Sequence, residues 1–192
     1  MSTQDKRPEE LQRIYSQRFD AVMSYRNEVW KILTSYFFQK YISPDTRVLD
    51  IGCGYGEFIN NIKAGKKYGM DLNPEAKKHL HAEVELLQQD CSTRWPIPDG
   101  SLDVVFTSNF FEHLPSKATL TSTLTEALRC LKPGGKLIAI GPNIRVIPDI
   151  YWDFYDHYLP LSDISLAEGL TNVGYTVETS HAHFLPYTMV RK

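Results

Sequence analysis

The sequence predicts a doubly wound α/β domain built on a mostly parallel sheet. Three observations predict it. Short apolar runs alternate with longer helical patterns along most of the 192 residues, and strands separated by helices pair in parallel. The first run, Val48-Leu49-Asp50-Ile51, passes straight into Gly52-Cys53-Gly54-Tyr55-Gly56 and then Glu57-Phe58. Acidic residues then stand just beyond the next two runs, at Asp71 and Asp90.

Composition limits the alternatives. There are 21 basic and 23 acidic residues, for a net charge of −2, so no general basic field exists to hold nucleic acid. Cys53, Cys91 and Cys130 are far apart and odd in number. That spacing suggests neither a disulfide framework nor a zinc site, and no metal is expected. The opening MSTQDKRPEE lacks the apolar core of a signal peptide, and no apolar run approaches a membrane span. A reduced, cytosolic, cytoplasmic protein is the expectation.

The chain is read in order as one domain over 1–192. Residues 1–8 form a polar tail, expected to be disordered. From Glu9 to about Tyr41 the pattern is helical, with Val29, Leu33, Phe37 and Tyr41 on one stripe and Trp30 and Ile32 widening it. This segment, 9–43, is either a plain cover for the domain or a lid carried by Tyr15, Arg18 or Arg26. The α/β core is expected over 45–192. Strand one is Arg47–Ile51, and its glycine turn leads into a helix from about Glu57 to Ala64. Gly65 is placed at the helix end. Lys66–Met70 is strand two. Asn73 caps and Pro74 opens the next helix, which runs to about His81. Val84–Gln88 is strand three. The turn at Ile97–Ser101 precedes strand four, Leu102–Thr107, an apolar run suited to burial on both faces. Pro115-Ser116 opens a long helix with Leu120, Leu124, Leu128 and Leu131 on one face. Lys132-Pro133-Gly134-Gly135 closes it, and Lys136–Ile140 is strand five. Ser162 caps a helix through Leu166, Leu170 and Val173 that Gly174 ends, and Tyr175–Phe184 is strand six.

In such a sheet ligands bind beyond the carboxyl ends of the strands, where the strand order reverses. The residues just after each strand therefore carry the chemistry. Glycines let a ligand approach the backbone without meeting a Cβ. Asp71 stands about twenty residues past the first glycine, the distance of a ribose-binding acid. A glycine pair with one acid fits a nicotinamide dinucleotide, a flavin or S-adenosylmethionine. The third glycine falls at Gly56, not one residue later as in a pyrophosphate-binding turn. Asp90 could accept from an adenine amino group, and the Cys91 N–H could serve a ring nitrogen.

The four segments VLDIGCGYGEF, GMDLNP, QQDCSTRWPIPDGSLDVVFTSNFFEHL and LKPGGKLIAI together resemble the class I S-adenosylmethionine-dependent methyltransferases. They are most similar to the type 11 small-molecule subgroup that includes ubiquinone-biosynthesis enzymes. The resemblance covers about residues 45–142. It implies a Rossmann-like methyltransferase sheet, S-adenosyl-L-methionine as cofactor, and methyl transfer to O, C or N of a small-molecule acceptor. It implies that Gly52, Gly54 and Gly56, with Cys53 among them, line the methionine half of the cofactor. Asp50 orients the loop or the amine, Asp71 with Leu72 beside it holds the ribose, and Asp90 and Cys91 hold the adenine. Ser108 and Asn109 lie beside the transferred methyl.

A general base is needed only if the nucleophile arrives protonated. The candidates are His113, His157 and Tyr155. His113 lies just past strand four in Phe111-Glu112-His113-Leu114. The other two fall in the aromatic run Tyr151–Tyr158, which could wall the acceptor pocket or pack onto the N-terminal helices. The Asn/Asp-Pro-Pro-aromatic motif of enzymes that methylate amino groups on DNA or glutamine is absent after strand four, which argues against a nucleic-acid base as target. In the family a last antiparallel strand slots between strands five and six. Here only Leu185–Lys192 remains for it, and Pro186 interrupts its start. A short or missing last strand is expected, leaving an edge that could form a homodimer. Two other functions stay open: a cofactor-binding but non-catalytic partner module, and a nicotinamide-dependent oxidoreductase.

Overall fold

A computed structural model describes residues 23–184. Its sheet has five parallel strands in the order β3-β2-β1-β4-β5. These are β1 Arg47–Ile51, β2 Lys66–Met70, β3 Val84–Leu87, β4 Leu102–Ser108 and β5 Leu131–Ile140. The first four fall where the sequence places them. Period-2 alternation sends Val48, Val104 and Phe106 to one face and Leu49, Ile51 and Val105 to the other, and Leu102 joins the second face across a register irregularity before Val104. Each face is covered, so the buried positions of β1 and β4 are almost all apolar. Asp50 and Thr107 are exceptions, and both stand near the carboxyl end of the sheet.

Helix α1 is described over Met23–Tyr36 and continues into a 3₁₀ turn at Phe38–Lys40. Its buried line is Trp30, Thr34, Phe38 and Ile42, one residue over from the expected stripe. Val29, Leu33 and Phe37 are half-buried, Tyr41 is exposed, and Ile32 is 59% exposed. The shift arises because Thr34 can be buried: its hydroxyl donates to the Trp30 carbonyl at 2.8 Å. Trp30 and Phe38 then pack their rings on Phe58 and Phe106 of the domain. Of the lid candidates, Tyr15 and Arg18 lie outside the described residues, as do the expected tail 1–8 and the first turns of this helical cover.

The expected helix 57–64 is replaced by irregular turns. Asn60 and Asn61 explain this, because both side chains bond to backbone groups and compete with a regular helix. The Asn60 amide donates to the His79 carbonyl at 2.9 Å and its oxygen accepts from the His81 N–H at 2.9 Å. Gly65 is not a left-handed helix end: a Cβ there would lie 2.9 Å from the Asp45 carbonyl oxygen. The next helix, α2, is only Ala76–His79, with the Asn73 side chain accepting from the Glu75 N–H at 3.0 Å.

Helix α3, Lys117–Cys130, begins at Ser116, whose hydroxyl accepts from the Thr119 N–H at 3.1 Å. Its buried face is Leu120, Thr123, Leu124, Ala127 and Cys130. Leu128 is exposed and Leu131 already belongs to β5, so the four-leucine stripe is corrected at its C-terminal half. Helix α4, Asp163–Val173, has the expected cap at Ser162 and ends at Gly174 with φ +116°.

Tyr175–Phe184 does not form a strand. It runs opposite β5 and touches it at Lys136, whose ammonium meets Glu178 at 2.5 Å. A cleft of about 880 Å³ separates the two. The outer edge of β5 therefore has no ladder partner among the described residues, and the expected final strand, Leu185–Lys192, lies outside them. No helix among the described residues is long and apolar enough to cross a membrane.

Candidate functional site

β1 and β4 are neighbours, and the chain leaves them in opposite directions across the sheet. The crevice between their carboxyl ends is the reversal point expected to take a ligand. The 880 Å³ cleft is a different feature, since it follows the edge of β5. Its lining includes Asn109 and Glu112, just past the carboxyl end of β4, and Tyr151.

The glycine turn sits at the end of β1. Gly52, Gly54 and Gly56 have φ of +68°, +51° and +79°, a region that residues with a Cβ rarely enter. The N–H groups of Gly52 and Cys53 both donate to the Met70 carbonyl, at 2.8 and 3.1 Å, so the turn is sewn to the end of β2. A Cβ at Gly52 would stand 2.3 Å from the Phe110 ring, and one at Gly56 would stand 2.7 Å from Leu80. The Cys53 side chain is buried beneath the turn, close to Gly69, so this residue presents backbone and not sulfur to the crevice. Burial pushes its thiol pKa well up.

Asp71 follows β2 and is almost fully buried. One carboxylate oxygen accepts from the Gly54 N–H at 2.8 Å and the other from the Asn73 N–H at 2.8 Å. The acid thus holds the glycine turn in shape, and each oxygen keeps a further lone pair for a ligand. Leu72, next in the chain, is 44% exposed, an apolar surface beside that acid. Asp50 is buried in β1, and burial followed by the charges of Glu57 and Asp71 holds its carboxyl well above the usual range. Burial likewise raises Asp71, against the lowering effect of its backbone bonds. The charges of Glu57 and Asp71 thus disfavour ionisation of Asp50 at the foot of the glycine turn. Glu57 is also gripped by Arg26 of α1 at 2.8 Å, which brings one of the expected lid residues to the turn.

Asp90, beyond β3, receives the Ser92 N–H and hydroxyl on one oxygen at 2.7 and 2.8 Å. It fixes the turn that carries Cys91. The Cys91 thiol points inward, 3.2 Å from the Thr123 hydroxyl, and burial pushes its pKa up to about 12. Only its backbone can meet a ligand. Ser108 ends β4. Asn109 follows with φ +48°, the only non-glycine residue with positive φ among the described residues, the kind of local strain that collects at functional sites.

The acceptor side is built by contacts across long stretches of sequence. Glu112, buried in a 3₁₀ turn at Phe111–His113, accepts the Tyr151 hydroxyl at 2.5 Å. Its carbonyl accepts the N–H groups of Tyr158 and Leu159 at 2.8 and 3.0 Å. His113 Nδ1 is 3.0 Å from the Asp156 carbonyl oxygen and 3.2 Å from its carboxylate. His157 Nδ1 is 2.8 Å from the Tyr151 carbonyl, and the two histidine rings are 4.7 Å apart. His113 and His157 therefore come together. Tyr155 does not join them: it is 92% exposed. Of the aromatic run, Tyr151, Trp152 and Phe154 are half-buried while Tyr155 and Tyr158 face out. Sequence reasoning missed Glu112, Asp156 and Phe110 as site residues. An acid between an aromatic residue and a histidine, directly past a central strand, was the available signal for Glu112.

Comparison with known proteins agrees with this geometry. Residues 49–139 match the family described as "Methyltransferase domain". A 2-methyl-6-phytyl-1,4-hydroquinone methyltransferase of Synechocystis is 31% identical over 58% of this chain and 38% of its own length. A demethylmenaquinone methyltransferase of Lactiplantibacillus plantarum is 27% identical over 78% of this chain and 68% of its own length. The chain thus spans from about two fifths to two thirds of these relatives. A crystal structure of a methyltransferase dependent on S-adenosylmethionine, from Archaeoglobus fulgidus, superposes with a TM-score of 0.65 at 28% identity, covering 79% of this chain and 69% of that one. With the five parallel strands, the glycine turn after β1 and the acid after β2, residues 49–139 belong to the class I S-adenosylmethionine-dependent methyltransferases of the type 11 group.

Proposed function

We propose that this chain transfers a methyl group from S-adenosylmethionine to O, C or N of a small, aromatic acceptor. The observation that carries the reading is the seat at the end of β1. Three left-handed glycines open the backbone there, and Asp50, Glu57 and Asp71 surround it with carboxyl groups. At its methionine end the cofactor carries a sulfonium and an ammonium group beside one carboxylate, so carboxyl groups near the turn fit its cationic groups and a glycine backbone fits its close approach. When bound, it supplies an electrophilic methyl group on a sulfonium centre.

In this reading the Gly52–Gly56 backbone takes the methionine end, with Asp50 and Glu57 near its ammonium group. The spare lone pairs of Asp71 take the ribose hydroxyls. Leu72 covers a face of the adenine, and Asp90 and the Cys91 N–H hold its edge. Ser108 and Asn109 flank the methyl position and help align it with the nucleophile. A proton lost by the acceptor goes to Nε2 of His113 or His157, because each Nδ1 faces a carbonyl and keeps its own hydrogen. Tyr151, Trp152 and Phe154 offer flat apolar surface, which favours an aromatic ring. The names of the hydroquinone and menaquinone relatives point to the same acceptor class.

The test is transfer of labelled methyl from the cofactor to a panel of hydroquinones, catechols and related phenols. Label in an extracted product is the expected result. Cofactor binding without transfer to any acceptor, together with a co-purifying protein, would instead favour a non-catalytic partner module, a reading supported by the edge of β5, which is unpaired among the described residues.

A further inference from the structure

Glu112, His113 and His157 each bring one ligand atom to within 4.8 Å of the other two. Glu112 is 1% exposed, and its Oε2 is buried with no hydrogen-bond partner. A bare buried carboxylate oxygen is costly unless a cation or donor meets it. The other oxygen is already taken by Tyr151.

The two histidines are oriented from behind. His157 Nδ1 faces the Tyr151 carbonyl, and His113 Nδ1 faces both the carbonyl and the carboxylate of Asp156. Carbonyls only accept, so each Nδ1 carries the hydrogen and each Nε2 carries the lone pair. Metal-binding histidines are arranged in this way, with one ring nitrogen donating to a carbonyl or carboxylate and the other turned to the ion. Three ligands around one ion at about 2.1 Å stand roughly 3.4 Å apart in a tetrahedral site, so side-chain rotation has to draw this cluster in by about an ångström.

We propose that Glu112, His113 and His157 bind a divalent first-row transition metal such as zinc, manganese, iron or cobalt. Two imidazoles and one carboxylate suit these ions and are too nitrogen-rich for magnesium or calcium. Three protein ligands leave coordination positions open. Resting on the methyl-transfer reading, those positions would receive an acceptor oxygen, because Glu112 lines the cleft together with Asn109; with an ion bound both Nε2 lone pairs are taken, so the acceptor's proton would leave to water, its loss favoured by the ion's charge. Sequence spacing conceals the site, since Glu112 and His113 come from the turn after β4 and His157 from a loop beyond β5.

The test needs neither acceptor nor cofactor. Chelator-treated protein is titrated with Zn²⁺, Mn²⁺ and Co²⁺ by calorimetry and, for Co²⁺, by visible absorption. One ion per chain should bind at micromolar concentration or below, and Glu112→Gln and His157→Gln should each weaken it at least about tenfold. Binding of S-adenosylhomocysteine by the variants reports that they remain folded. If the variants fail to fold, X-ray absorption of the zinc-loaded natural sequence replaces them, with nitrogen and oxygen neighbours expected and no sulfur. No stoichiometric binding of any of the three ions, binding unaffected by the variants, or sulfur at the ion would overturn the proposal. S-adenosylhomocysteine binding in protein that takes no metal defeats this site alone. Metal binding in protein that takes no S-adenosylhomocysteine defeats the methyltransferase reading alone.

Discussion

The two sides of the crevice are held together differently. On the β1–β2–β3 side, backbone groups do the work: the glycine turn donates to Met70, Asp71 ties Gly54 to Asn73, and Asp90 closes its own turn. On the β4–β5 side, side chains from distant segments lock one another: Tyr151 on Glu112, Asp156 behind His113, His157 on the Tyr151 carbonyl. The first arrangement presents one rigid ligand seat. The second presents a surface whose shape depends on a few side chains, and it can change without disturbing the seat. A fold that keeps its cofactor and varies its acceptor needs this division of labour.

The largest effect expected is at the glycine turn. Gly52→Ala places a Cβ 2.3 Å from the Phe110 ring and puts alanine at φ +68°. The conformation alone costs about 1–2 kcal/mol. Affinity for S-adenosylhomocysteine should fall by about 100-fold or more, roughly 2.7 kcal/mol in a calorimetric titration. Unchanged affinity would mean that the turn is not the seat.

Tyr151→Phe probes the other side. It leaves the buried Glu112 carboxylate without its hydroxyl donor, at a cost of about 1–3 kcal/mol of stability in urea unfolding. Affinity for S-adenosylhomocysteine should stay within about twofold, because the Tyr151 hydroxyl bonds to Glu112 on the β4–β5 side. A large loss of cofactor binding would dissolve the contrast.

A smaller effect comes from Asp50. In the free protein it stays protonated above the ordinary carboxylate value of 3.8. A cationic ligand beside it lowers that pKa, so in the window just below the raised value binding expels a proton. Affinity for S-adenosylmethionine should therefore rise with pH through this window and level off above it. Titration in two buffers of different ionisation heat measures the released proton, and Asp50→Asn should abolish the release. The sign for stability is the reverse: ionisation of Asp50 opposes folding, so its contribution is greatest below 3.8 and is lost as pH rises through the raised value. The smallest effect is at Tyr155. Replacing this exposed ring by alanine should change neither stability nor cofactor affinity by more than about 0.5 kcal/mol.

The same contrast explains what the sequence disclosed. Positive φ favours glycine, so the turn at Gly52, Gly54 and Gly56 was legible in the sequence, and Asp71 was legible as the acid just past β2; only as a set with the other motifs did they point to one cofactor. Strand positions were readable because period-2 burial on both faces leaves continuous apolar runs. The acceptor side was not. Glu112, Tyr151 and Asp156 matter through partners at separations of 39 and 43 residues, and no local pattern announces such a partner. Tyr155 and His157 stood in one aromatic run, yet the first faces solvent and the second faces His113. The failed helix at 57–64 and the absent strand at 175–184 have a related cause. Asparagine side chains outcompeted helical bonds in the first case. In the second, the segment found no partner strand among the described residues.

Calorimetric titration of the natural sequence and of Asp71→Ala with S-adenosylhomocysteine tests the central claim most directly. The account predicts one ligand bound per chain at micromolar concentration, and a loss of about tenfold or more when the carboxylate that serves both the turn and the ribose is removed. No binding at high micromolar concentration, or equal binding by Asp71→Ala, would contradict it.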